Sequence, residues 1–208
     1  MAGPSGKRAL LIVDVQNGFC ANGNLPVPGG EEVVPEINRL IAEGDYDFIV
    51  ASQDWHPPHH KSFASQHAGK KPFEMGSLGG KPQVMWPDHC IQGTRDAELH
   101  PDLDTDRIHF VQRKGEDSEV DSYSAFRDNH AEQRTGLDRE LMKRGVGELD
   151  ICGLATDYCV KFSALDAVAL LPGVKVRVIE NASRGITPEG VAAALTELRR
   201  AGVEVVRL

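Results

Sequence analysis

Residues 8 to 15 read RALLIVDV, and the five positions from Ala9 to Val13 are apolar without interruption. A strand with one wet face alternates polar and apolar residues. An unbroken run ended by an acid is instead the pattern of a central parallel strand covered on both faces. Such a sheet needs a layer on each side, and the rest of the chain must supply both. Asp47 to Gln53, Arg107 to Gln112, Glu148 to Cys152, Lys175 to Ile179 and Glu204 to Arg207 read as five further strands. Between them fit four helices. Gly29 to Glu43 carries Val33, Val34, Ile37, Leu40 and Ile41 at helical spacing and is stopped by Gly44. Leu137 to Arg144, Asp157 to Leu171 and Pro188 to Ala201 follow, the last with Thr187 as N-cap and Pro188 as first helical residue. Strands alternating with helices predict a doubly wound α/β fold with right-handed crossovers.

A length of 208 residues suits one domain, expected to span 1–208, with disorder at residues 1 to 6 as a terminal effect. With 40% apolar and 26% charged residues the chain cannot be disordered over most of its length. A net charge of -8 without a basic block excludes a general nucleic-acid binder. The apolar runs are too short for a membrane span or a signal-peptide core, so the expected location is the cytoplasm, with no membrane partner. Cys20, Cys90, Cys152 and Cys159 are too few for a disulfide scaffold and are expected to be free thiols.

In a doubly wound sheet, ligands bind outside the carboxyl ends of the strands. That rule selects Asp14, Asp54 with His56, Lys114, and the segment from Cys152 to Cys159. Cys159 falls where a strand gives way to a helix, so the helix dipole should favour its thiolate and nearby backbone N–H groups could hold an oxyanion. The ordinary reading of a cysteine, a small buried hydrophobe, is kept for Cys20, Cys90 and Cys152. Taken singly, Asp14 reads as a solvated strand-end acid and Lys114 as a surface charge. Converging on a thiol they become a base and a charge-stabilising cation. Asp54 and His56 share one side of an extended segment, and with His89 they suit zinc, iron or manganese. His59, His60 and His67 are neighbouring rivals that also read as solvated loop histidines, while His100, His109 and His130 offer no spacing argument. From Asp54 to Thr105 the chain is rich in Pro, Gly, His and Lys without periodicity, a connection far longer than usual. No dinucleotide or P-loop glycine pattern is present.

Six segments carry a resemblance in common: Leu11 to Phe19 (LIVDVQNGF), Gln53 to Pro57 (QDWHP), Trp86 to Cys90 (WPDHC), Arg113 to Gly115 (RKG), Asp121 to Phe126 (DSYSAF) and Gly153 to Val160 (GLATDYCV). In this order they resemble the nicotinamidase/pyrazinamidase family of the isochorismatase-like cysteine hydrolase superfamily. The resemblance implies a three-layer α/β/α fold with a six-stranded parallel sheet of order 3-2-1-4-5-6. It implies Cys159 as nucleophile, Asp14 as general base and acid, and Lys114 as third member of the triad. The Ala155 and Cys159 amides would form the oxyanion hole, with a cis peptide between Leu154 and Ala155. Asp54, His56 and His89 match the ligands of one divalent ion (zinc, iron or manganese), and Ser62 matches a position that in some members reaches the metal directly or through water. Phe19 and Trp86 match residues that hold the pyridine ring, and Tyr123 matches a pocket residue. The implied reaction is hydrolysis of nicotinamide, and of pyrazinamide, to the acid and ammonia through a thioester. The partner is then a small carboxamide, and a homo-oligomer is compatible with the pattern. Isochorismatases lack this cysteine and metal set, and carbamoyl amidohydrolases keep the triad without the ligands. A thiol-redox or non-catalytic metal protein on the same scaffold is the rival from another class.

Overall fold

The computed structural model describes residues 6–208; residues 1–5, and with them most of the terminal stretch expected to be disordered, lie outside the described residues. Strand β1, Lys7–Val13, lies inside a six-stranded parallel sheet. Its neighbours are β2, Phe48–Asp54, and β6, Val146–Leu154. Outside β2 lies β5, Phe110–Lys114, and beyond β6 come β7, Lys175–Arg184, and β8, Glu204–Val206. The order β5-β2-β1-β6-β7-β8 is the expected 3-2-1-4-5-6 once a separate hairpin is set aside. That hairpin, β3 at Met75–Leu78 and β4 at Lys81–Val84, lies in the long irregular segment, where the sequence shows no alternation to announce it.

The apolar run of β1 divides between two cores. Leu10 and Ile12 face Val33, Ile37, Leu40 and Ile41 of helix α1, Val33–Glu43. Ala9, Leu11 and Val13 face the other side. There they meet Leu137 and Leu141 of α2, Leu137–Lys143, Ala164 and Ala167 of α3, Lys161–Leu170, and Leu195 and Leu198 of α4, Pro188–Arg200. Burial on both faces is thus the physical reason for the unbroken run. Part of the α1 side is covered by the long segment, through Trp86, Cys90, Ala97 and Leu103. Thr187 caps α4, its Oγ1 accepting the Gly190 N–H at 3.0 Å with Pro188 following.

Among the boundaries that differ from expectation, which include a longer β6 and β7 and a later start of α1, two bear on the strand ends. The strand expected at Arg107 to Gln112 runs instead from Phe110 to Lys114, so Lys114 is its last residue, paired with Asp54 across the sheet edge. The helix expected from Asp157 begins as a wider π turn over Thr156–Val160 and becomes α-helical only at Lys161. Before it, Gly153 adopts φ +115, and a Cβ there would lie 2.2 Å from the Val13 carbonyl oxygen. Only glycine lets β6 press this closely on β1 beside Asp14.

Candidate functional site

Parallel strands finish at the same edge, and the ends of β1, β2, β5 and β6 bring Asp14, Asp54, Lys114 and the segment after Leu154 together. Asp14 is fully buried and sits at φ 49, in the left-handed region that a non-glycine residue adopts at a cost. Its Oδ1 accepts the Ser52 hydroxyl at 2.6 Å, and its Oδ2 lies 2.9 Å from Lys114 Nζ. Although close enough for an ion pair, that Oδ2 makes no hydrogen bond of ordinary geometry, which leaves a lone pair for another proton. Lys114 Nζ also donates to Asp54 Oδ1 at 2.5 Å and to the Ser122 carbonyl at 2.8 Å, and lies 3.4 Å from Cys159 Sγ. A carboxylate oxygen of Asp14, one of Asp54 and the Cys159 sulfur all fall within 4.8 Å of one another.

Burial pushes the Asp14 carboxyl above the usual carboxylate range and Asp54 adds to the rise, while Lys114 opposes it. For Lys114 burial alone would favour the free amine, but the Asp14 and Asp54 carboxylates outweigh it and keep the ammonium. Burial also pushes the Cys159 thiol well up, with Lys114 opposing and Asp14 and Asp54 reinforcing. The resting group is therefore a thiol. This corrects the expectation of a dipole-stabilised thiolate: Cys159 is enclosed beside two carboxylates, and a single π turn stands where a regular helix start was expected. The Ala155 carbonyl accepts the Val160 N–H at 3.1 Å and closes that turn. The peptide between Leu154 and Ala155 is cis, as the resemblance implied.

Asp54, His56 and His89 form a second convergence. His56 Nδ1 contacts the Gly115 carbonyl at 2.9 Å and His89 Nδ1 the Pro87 carbonyl at 2.8 Å. A carbonyl only accepts, so both Nδ1 atoms carry the proton and, in the neutral rings, both Nε2 atoms are lone-pair donors. Those Nε2 atoms lie 3.5 and 3.8 Å from Asp54 Oδ2. Three buried acceptors facing one point is unfavourable unless a cation lies between them, so this donor set fits a divalent ion of the zinc, iron or manganese kind. Without an ion, a proton is drawn in instead: burial would lower His56, but Asp54 raises it above its ordinary value. Gly115, at φ +69, fits against the imidazole, where a Cβ would lie 2.4 Å from His56 Cε1. The Ser62 hydroxyl is hydrogen-bonded to His60 Nδ1 at 2.7 Å. Of the rival histidines, His59 is exposed and His60 is buried beside His56, with ring centroids 4.4 Å apart.

Both convergences open on one small pocket, whose empty space is about 400 Å³ with its mouth included. Phe19, Trp86 and Tyr123 line it, together with Asp54, His89, Ala155 and Cys159. Sequence reasoning missed Leu25, Val27, Tyr158, Ile186 and Asp121, which complete the wall. Tyr158 adjoins Cys159 and could have been suspected; its ring meets Trp86 edge-on at 5.0 Å. Two supporting residues were also missed. Ser52 holds Asp14, and Gln16 clamps the Asp54 peptide, donating to its carbonyl at 2.9 Å and accepting its N–H at 2.8 Å. Their positions, two residues before Asp54 and two after Asp14, were the available signal.

Residues 8–208 match the family model described as the isochorismatase domain. The chain is 50% identical over 205 residues to the nicotinamidase of Escherichia coli, covering 97% of this chain and 95% of that protein. Among solved structures it resembles the nicotinamidase/pyrazinamidase of Acinetobacter baumanii with a TM-score of 0.92 and 43% identity, covering 99% of this chain and 98% of that one. It also resembles the pyrazinamidase of Pyrococcus horikoshii in complex with zinc, with a TM-score of 0.77 and 34% identity over 97% and 99% of the two chains.

Proposed function

The chain belongs to the isochorismatase family, and from that premise we propose that it is a metal-dependent cysteine amidohydrolase converting nicotinamide, and pyrazinamide, to the acid and ammonia. The observation that carries the reading is the meeting of Asp14, Lys114 and Cys159 at the edge of a pocket whose wall also contains Asp54 and His89. The three groups come from distant parts of the chain, and together they have the proton acceptor, cation and nucleophile that acyl transfer needs.

Asp14 takes the Cys159 proton on its Oδ2, and the sulfur attacks the carboxamide carbon. The N–H groups of Ala155 and Cys159 receive the charge that develops on oxygen. As the C–N bond breaks, Asp14 returns the proton to the leaving nitrogen, so ammonia departs and a thioester remains. Water then attacks the thioester, Asp14 again accepting a proton and passing it to sulfur, which releases the acid and restores the thiol. Lys114 stays an ammonium throughout and offsets the negative charge shared by Asp14, Cys159 and Asp54. Phe19, Trp86 and Tyr123 hold the ring. Asp54, His56 and His89 would hold the metal, with Ser62 as a further candidate donor. A divalent ion bound there supplies a Lewis-acidic point that orients a ring nitrogen.

The reading treats residues 1–208 as one isochorismatase-like domain. Among the described residues no helix is long and apolar enough to cross a membrane, and the four cysteines are free, which supports work in the cytoplasm. The test is ammonia release from nicotinamide by the metal-loaded protein, its chelated form and the Cys159→Ala variant. Turnover should vanish in Cys159→Ala and fall steeply on chelation. Full activity in the variant would exclude covalent catalysis by this thiol.

A further inference from the structure

Asp121 is buried in the wall of the same pocket, and the mechanism above gives it no task. Its carboxylate is held at both oxygens. Oδ1 accepts the Ser122 N–H at 2.8 Å, and Oδ2 accepts Gln83 Nε2 at 2.8 Å. Gln83 is itself buried and donates as well to the Tyr123 hydroxyl at 3.0 Å, tying Asp121 to the aromatic wall. These hydrogen-bond donors are neutral and leave the negative charge in place, although an Asp121 oxygen also lies within 4.8 Å of ring nitrogens of His56 and His60. The ion pairs of the site run to Asp14 and Asp54, which take up Lys114 between them, and among the described residues none runs to Asp121. Its field reaches the pocket, since it pushes the Tyr123 hydroxyl further up after burial has raised it.

The reaction turns a neutral carboxamide into a carboxylate. A fixed anion in the wall leaves binding of the first almost unchanged and opposes binding of the second. We propose that Asp121 is a specificity-determining residue that makes the pocket prefer the neutral amide over its anionic product, and so clears the site after each turnover. The proposal rests on the amidohydrolase reading and deepens it. Gln83 and the Ser122 amide serve as positioning groups that keep the carboxylate from turning away.

The test measures dissociation constants of nicotinamide and nicotinate, at a pH where nicotinate is ionised, on metal-loaded protein carrying Cys159→Ala, with Asp121 intact or changed to Asn or Ser. With Asp121 intact, nicotinate should bind about tenfold more weakly than nicotinamide. In Asp121→Asn and Asp121→Ser the ratio of the two constants should collapse toward one or invert, whatever happens to either value alone. General damage to the pocket would weaken both ligands together and leave the ratio. An unchanged ratio in a folded variant, or equal binding of the two ligands with Asp121 intact, overturns the proposal. Ammonia release by the unaltered protein is assayed in parallel, so failure of the amidohydrolase reading is seen separately.

Discussion

Lys114 Nζ stands 2.9 Å from Asp14 Oδ2, and neither side chain is exposed to solvent. The same ammonium touches Asp54 at 2.5 Å, so one cation serves the acid next to the thiol and the acid of the Asp54, His56 and His89 cluster. Taking away one partner of a buried ion pair is far more damaging than replacing the pair, because the other charge is stranded.

Lys114→Met should therefore abolish turnover and destabilise the metal-free protein by about 3–5 kcal/mol near neutral pH. The two stranded carboxyls would hold folded-state pKa values above their unfolded ones, so this loss should shrink as the pH falls and both become protonated. Urea unfolding at several pH values checks the sign. A loss that deepens in acid contradicts the arrangement.

The raised Asp14 carboxyl and the raised Cys159 thiol set the pH profile of kcat/KM. The competent form has Asp14 ionised and Cys159 protonated. Activity should fall as the pH drops through the Asp14 value, which lies above the ordinary 3.8, and should persist past the ordinary thiol value of 9.0 on the alkaline side. The two apparent values belong to the interacting pair. An acid limb at the ordinary aspartate value would remove Asp14 from the role of base.

Ser52 donates to Asp14 at 2.6 Å and helps keep its carboxyl from rising further. Hydrogen bonds to charged groups contribute about 1.5–3 kcal/mol, so Ser52→Ala should lower kcat/KM about tenfold to a hundredfold. It should also move the acid limb to higher pH. Ser52→Thr, which keeps a hydroxyl, should restore much of both. A drop in rate with a stationary acid limb would point to structural damage instead of lost support for Asp14.

His60 is buried, and burial, reinforced by His56 and only partly offset by Asp121 and Asp54, pushes it down to about 4 from 6.5. A histidine held neutral in the fold but free to protonate when unfolded costs stability as the pH falls from about 6.5 to about 4. The full loss is about 3 kcal/mol from such a shift. Subtracting the pH dependence of a His60→Gln variant from that of the unaltered metal-free protein should isolate this contribution. Parallel curves would mean that His60 finds a proton acceptor in the fold.

The sheet was legible because its causes are local. Ala9 to Val13 can be apolar throughout only if both faces are covered, and Thr187-Pro188 marks the start of α4 through backbone chemistry that acts within one turn. Asp14, Asp54, Lys114 and Cys159 could be picked out because strand ends in such a sheet share an edge, and the segments around them carry a family resemblance. The hairpin at 75–84 was not legible, since its strands are four residues each and Gly76 and Pro82 spoil the alternation. Nor was the part played by Ser52, Gln16 or Asp121.

Residue order alone thus determined the layers, the order of elements and which chemical groups come to one edge of the sheet. Only the tertiary structure decided their states. Cys159 is a thiol because burial raises it and two nearby carboxylates reinforce the rise, and Lys114 is an ammonium because two acids outweigh its burial. The imidazoles of His56 and His89 aim at one oxygen because the carbonyls of distant Gly115 and of neighbouring Pro87 hold their other nitrogens. Spacing along the chain selects which residues can meet. Their charge depends on solvent exclusion and on neighbours a few ångströms away, which exist only after the chain has closed around them.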